Sequence, residues 1–217
     1  MTVVDVAKQL PEIAALRDHC RALTMLDIII NRAEYHYSFR PAWGPDHQLA
    51  ELDSGCGDGW SIVFGPDGAF IRGFDHESKM SPYVFGAPTI RPGLIDGLPD
   101  EFRHYVMGNV FRIDRRFAAT VCLWRRRDDD RWRHGNPEIP DGLDPDGSGW
   151  MFEYLVDRDP AKYARTASTV HALEVSAEAV GQVYASTPLT DEIIQAINPD
   201  ESVDTVRAAA ERIGYPI

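Results

Sequence analysis

Cysteine, net positive charge and long apolar runs are all scarce in this chain, and each shortage excludes a class of function. The three cysteines, Cys20, Cys56 and Cys122, are odd in number and irregularly spaced. Such a set does not build a secreted disulfide framework, so reduced thiols in a cytoplasmic protein are expected. The first residues show no basic stretch leading to a small-residue cleavage site, and no signal peptide is expected. Ala22 to Ile30 is the longest apolar run and contains Asp27. It falls well short of the roughly 20 residues that span a bilayer, so no membrane role is expected. Basic residues number 22 against 34 acidic ones, for a formal charge of −12. Phosphate binding needs a basic surface, which makes nucleic acid a poor partner and a basic protein a better one. Metal-binding spacings such as His-Glu-x-x-His and Cys-x-x-Cys are missing as well, and no cofactor is expected.

What is present suits one domain of 217 residues, long enough to fold without a staple. Pro11 and the recurrence of Ile13, Leu16, Cys20, Leu23 and Ile30 predict a helix over 11–33. Strict alternation over 34–40 places Tyr35, Tyr37 and Phe39 on one side of a strand and His36 on the other. A loop is expected over 41–59. Two apolar strands, 60–65 and 69–74, flank Pro66-Asp67-Gly68, which has the chemistry of a tight turn. An irregular stretch rich in proline follows over 78–98, then a short helix over 100–106. The stretch 117–125 is apolar on both sides and reads as a central strand. A loop over 135–149 precedes 150–156, which suits either strand or helix. Asp159-Pro160, Ser176, Thr190 and Ser202 each read as a helix start, with Gly214 ending the last helix. The fold class is therefore α+β: an N-terminal helix, a twisted and mainly antiparallel sheet through about residue 158, and a helical region over 159–217.

Asp75, His76 and Glu77 follow directly on the second strand of the hairpin. They carry the atoms for acid–base chemistry or metal binding, with His36 a further ligand candidate. In an extended strand Asp75 and Glu77 share a side while His76 points away, so the three converge only across a turn. A hydrogen-bonded latch, a partner contact and a hydrolytic or metal site all remain open. The run Asp144-Pro145-Asp146-Gly147-Ser148-Gly149 imitates the first half of an EF-hand loop. Leu155 stands where that loop needs a bidentate Glu, and a plain turn is expected. Gly55 to Gly59 precedes a strand rather than a helix and does not cradle phosphate. Ser61 and Ser81 lack a nucleophile elbow, and Cys56 lacks a histidine near it in sequence.

Arg125 to Arg127 and Arg131 to His134 form basic runs interrupted by Asp128, Asp129 and Asp130, as in a self-compensating hairpin tip. Trp132, between Arg131 and Arg133, is expected at the surface as a partner-binding residue.

The segment Ile62 to Ser78, ending in Gly73-Phe74-Asp75-His76-Glu77-Ser78, resembles a segment of uncharacterised bacterial proteins. So do Leu123-Trp124-Arg125, Pro188 to Glu192 with Asn198-Pro199, and Ile213 to Pro216. That group implies no activity. An acidic chain with helix, sheet and helix in this order is also similar to the SMI1/KNR4-like (SUKH) immunity proteins. That resemblance implies binding and neutralising a toxin without catalysis. The leading expectation is a non-catalytic protein-binding protein. Its rival is a metal-dependent or acid–base hydrolase built on Asp75, His76 and Glu77.

Overall fold

A computed structural model describes residues 1–30, 36–84, 90–108, 111–113 and 116–217. Its centre is the hairpin anticipated above. Strands β3 (Gly59–Gly65) and β4 (Gly68–Phe74) pair antiparallel, with Gly65 opposite Gly68 across the turn. Gly68 has a positive φ, and a Cβ there would lie 2.1 Å from the Arg125 carbonyl oxygen, so only glycine fits this corner. The sheet has six strands in the order β1 (His36–Gly44), β2 (His47–Asp53), β3, β4, β7 (Val121–Arg126) and β8 (Arg133–His134). Every pairing in it is antiparallel. A separate two-stranded ribbon joins β5 (Arg112–Ile113) to β6 (Arg116–Phe117).

Both sides of the sheet are covered. Phe39, Leu52, Trp60, Ile62, Ile71 and Leu123 face one core, which they share with helices at both ends of the chain. Leu49, Val63, Phe70, Cys122 and Trp124 face a second core with Phe102, Tyr105 and Phe111. Period-two alternation thus sends successive residues of β3, β4 and β7 into two different apolar layers. That is why these strands read as apolar throughout.

Helix α1 (Val3–Gln9) precedes α2 (Ile13–Ile30), the long central helix of the first core. Its buried positions include Leu16, Cys20, Leu23 and Ile30, as the helical spacing requires. Asn198 is buried and donates its side-chain amide to the Ile29 and Ile30 carbonyls, satisfying acceptors that the last turn of α2 leaves open. After a 3₁₀ turn at Asp100–Phe102 comes α3 (Arg103–Met107). Two single turns, α4 (Ser148–Met151) and α5 (Glu153–Val156), show that 150–156 is helical.

The C-terminal region contains α6 (Pro160–His171), α7 (Ala177–Tyr184), α8 (Asp191–Ile197) and α9 (Val203–Ile213). Asp159, Ser176, Thr190 and Ser202 each accept a backbone N–H at the start of their helix. Gly214, at φ 68°, ends α9.

Two expectations are corrected. The stretch 41–59 is not a loop: β1 continues to Gly44 and β2 occupies His47–Asp53. Pro41 is tolerated because β1 is an edge strand, and its pairing slips between Arg40 and Gly44. The strand expected over 117–125 begins only at Val121, so Ala119 and Cys122 both face the second core. Tyr35, expected on the buried side of β1, lies outside the described residues. No helix among the described residues is long and apolar enough to cross a membrane.

Asp27 connects α2 to β1 by accepting the Tyr37 backbone N–H at 3.0 Å. Burial pushes its carboxyl up to about 7. The folded value lies above the unfolded one, so stability falls as pH rises from about 4 to about 7, where only the unfolded chain releases the proton. Asp27→Asn keeps an acceptor for Tyr37 and removes this loss. Urea unfolding should therefore show the variant gaining on wild type across that interval and keeping the gain at higher pH. A variant that loses ground as pH rises would contradict the assignment.

Candidate functional site

The end of β4 meets two loops, 54–58 and 139–150, and this junction collects most of the carboxylates singled out above. Each is engaged by N–H groups. Asp75 accepts the backbone N–H of Glu77 at 2.9 Å and of Ser78 at 3.1 Å on one oxygen, and the Trp150 indole N–H at 2.9 Å on the other. The turn that follows is held further by the Ser78 hydroxyl, which donates to the Pro145 carbonyl at 2.8 Å. Gly147, at φ 78°, passes so close that a Cβ there would lie 2.7 Å from Asp75 Oδ2.

The apparent EF-hand run serves the backbone in the same way. Asp144 accepts the N–H groups of Gly149 at 2.7 Å and Trp150 at 3.1 Å, at the start of α4. Asp146 is fully buried and accepts the Val3 N–H at 2.8 Å and the Ser148 N–H at 3.0 Å. Its pKa is raised by burial. The Thr120 hydroxyl donates to the Asp146 carbonyl at 2.8 Å. One short loop therefore joins the start of α1, the entry to β7 and the exit of β4.

His76 meets Asp58, which lies in the glycine-rich stretch from Gly55 to Gly59. The His76 backbone N–H donates to Asp58 Oδ1 at 2.7 Å, and His76 Nδ1 lies 2.6 Å from Oδ2. The Asp58 side chain is 11% exposed and that of His76 48%. Donor atoms of Asp58, Asp75 and His76 lie within 4.8 Å of one another, the one such group of possible metal ligands among the described residues. Glu77 and His36 fall outside it. His36 is exposed at the start of the edge strand β1, opposite Asp53, and Glu77 is exposed. Cys56 is exposed; Cys20 and Cys122 are buried, and none of the three forms a disulfide.

The partner-binding candidates lie elsewhere. Trp132 is 3% exposed, which corrects the expectation of a surface tryptophan. Its indole N–H donates to the Pro11 carbonyl at 2.7 Å and pins the β7–β8 connection to the elbow between α1 and α2. Arg125 is buried and reaches Glu12 at 2.6 Å. Arg133 and Arg131 approach Asp130 at 3.2 and 3.9 Å, the self-compensation expected of this segment. A groove of about 920 Å³ remains between the elbow and the connection. Lys8, Arg125, Arg131 and Arg133 supply four cations to its lining against the carboxylates of Glu12 and Asp130.

Asp58 raises the pKa of His76, through its hydrogen bond first and its charge second. A raised folded value means the contribution to stability is complete below the unfolded pKa of about 6.5 and disappears as pH rises through the folded value. The melting-temperature gap between wild type and His76→Ala should be widest at acidic pH and close with rising pH. Asp58→Asn should remove that pH dependence. A gap that widens toward alkaline pH would contradict the pairing.

No family model, curated protein or solved structure matches the chain, and the geometry of these sites is what bears on its function.

Proposed function

We propose that this chain is a non-catalytic binding protein, of the kind an immunity-type inhibitor exemplifies, and that it holds an acidic segment of a protein partner. The groove between the α1–α2 elbow and the β7–β8 connection carries this reading. Its walls bring Lys8, Arg125, Arg131 and Arg133 together in a chain whose overall charge is −12. Net charge favours encounter with a partner that is basic as a whole. Contacts, however, are decided within a Debye length of about 8–10 Å, where the groove's own cations dominate. The partner of this proposal is a basic protein presenting a local acidic stretch. Trp132, held against Pro11, gives the groove a rigid wall rather than a projecting anchor.

The carboxylates at the end of β4 fit this reading as structural brackets. Asp75 accepts three N–H groups, and Asp58 accepts the His76 N–H while facing its ring. Carboxylates committed in this way close loops and have little capacity left for a substrate.

One observation favours a second reading, a metal-dependent or acid–base hydrolase. Asp58 faces His76 Nδ1, which leaves the exposed ring's Nε2 directed away from the carboxylate, as in a general acid–base pair. Melting with chelator and with Zn²⁺ or Mn²⁺ separates the readings, because an ion bound only to the native state raises its stability. Metal stabilisation lost in His76→Ala would favour the hydrolase.

The binding proposal predicts that a labelled oligoglutamate peptide binds wild type with an affinity that falls as salt is added. Arg131→Glu with Arg133→Glu should weaken binding by about ten-fold or more, mainly through slower association. His76→Ala should leave it unchanged. Equal binding by wild type and the double variant, or none by wild type, would overturn the proposal.

A further inference from the structure

Arg72 is a cation in the middle of the sheet. It is 9% exposed and lies on the side opposite the groove. Register places it in a row of polar residues crossing an otherwise apolar layer: Ser38, Glu51, Ser61, Arg72 and Cys122 stand opposite one another on β1, β2, β3, β4 and β7. The guanidinium lies 5.0 Å from the centre of the Phe74 ring. Its Nε donates to the Ala118 carbonyl at 2.6 Å. Among the described residues Nη1 and Nη2 make no hydrogen bond.

The charges around Arg72 are committed elsewhere. Glu51 pairs with Arg40 through one oxygen and accepts the Ser61 hydroxyl at 3.3 Å through the other. Asp58 spends both oxygens on His76. Burial pushes the Cys122 thiol up to about 12, so it is neutral and offers no charge. Burial likewise draws the guanidinium down to about 10, against the opposing pull of the Asp58 and Glu51 carboxylates. A buried cation is costly unless it is both paired and hydrogen-bonded. The protein supplies nearby negative charge but no acceptor for the forked Nη edge. That edge matches two oxygens of a carboxylate or phosphate, a geometry open to Arg and not to Lys.

We propose that Arg72 forms a binding site for a small oxyanion, taken by its Nη1 and Nη2 groups beside Phe74 and Ser61. The site is independent of the groove, because the two lie on opposite sides of the sheet. The bound group carries a carboxylate or a phosphate, and the two differ in how they respond to titration with each anion.

The test is thermal melting of the full chain with inorganic phosphate, with malonate, and with chloride at matched ionic strength. The ¹⁵N resonance of the Arg72 side chain is followed in the same titrations. Wild type should be stabilised saturably by phosphate or malonate beyond the effect of chloride, with the Arg72 resonance shifting in parallel. The more effective of the two identifies the head group. Arg72→Lys keeps the charge and loses the fork, and should weaken the apparent affinity about ten-fold or more. Arg72→Met removes the charge and should abolish the response. Stabilisation of equal size in Arg72→Lys, or no wild-type response beyond chloride together with an unmoved Arg72 resonance, would overturn the proposal.

Discussion

A sheet covered on both sides imposes the constraint from which the rest of this structure follows. Strands β3, β4 and β7 have no solvent side, so nearly every residue along them, short of the strand ends, enters one of two buried layers. Trp60 and Phe70, on adjacent strands, are both almost wholly buried, in different layers. Each such side chain contributes about 2–3 kcal/mol on burial. Polar groups are thereby displaced to strand ends, loops and one row through Arg72. The chemistry-bearing residues are found in these places because the middle of the sheet has little room for them.

At the end of β4 this displacement produces a concentration of carboxylates without making them reactive by itself. Asp58, Asp75, Asp144 and Asp146 each accept N–H groups from turns or helix starts, and Asp75 accepts the Trp150 indole N–H as well. Leaving such donors buried and unmatched costs about 1–3 kcal/mol each. The carboxylates therefore explain how two loops, the turn after β4 and the N-terminus close onto one sheet end. The groove at the α1–α2 elbow differs, since Arg131 and Arg133 share the single carboxylate of Asp130 and retain cationic capacity.

Local chemistry made much of this legible in the sequence. The Pro66-Asp67-Gly68 turn, the four helix starts from Asp159 to Ser202 and the Gly214 stop each depend on residues within three or four positions. They appear where the sequence puts them. Helix α1 was not singled out in the sequence, and β2 was hidden because Leu49, Ala50 and Leu52 do not alternate cleanly with polar residues. Site partners were hidden by distance along the chain. Nothing near Trp132 reveals that its indole meets Pro11, and nothing near His76 reveals Asp58. Such pairings are set by how loops pack, while the alternation and capping rules act locally. The one local hint was Asp58 itself, an acidic residue flanked by glycines at the entrance to β3.

Hydrogen exchange on Asp75→Ala tests the central claim most directly. If the carboxylates bracket the backbone, the amides of Glu77 and Ser78 and the Trp150 indole should exchange faster together, while the Gly149 and Trp150 amides held by Asp144, and β3 and β4, keep their protection. Unchanged exchange at these three groups would contradict the account, because Asp75 would then be holding nothing and would be free for chemistry.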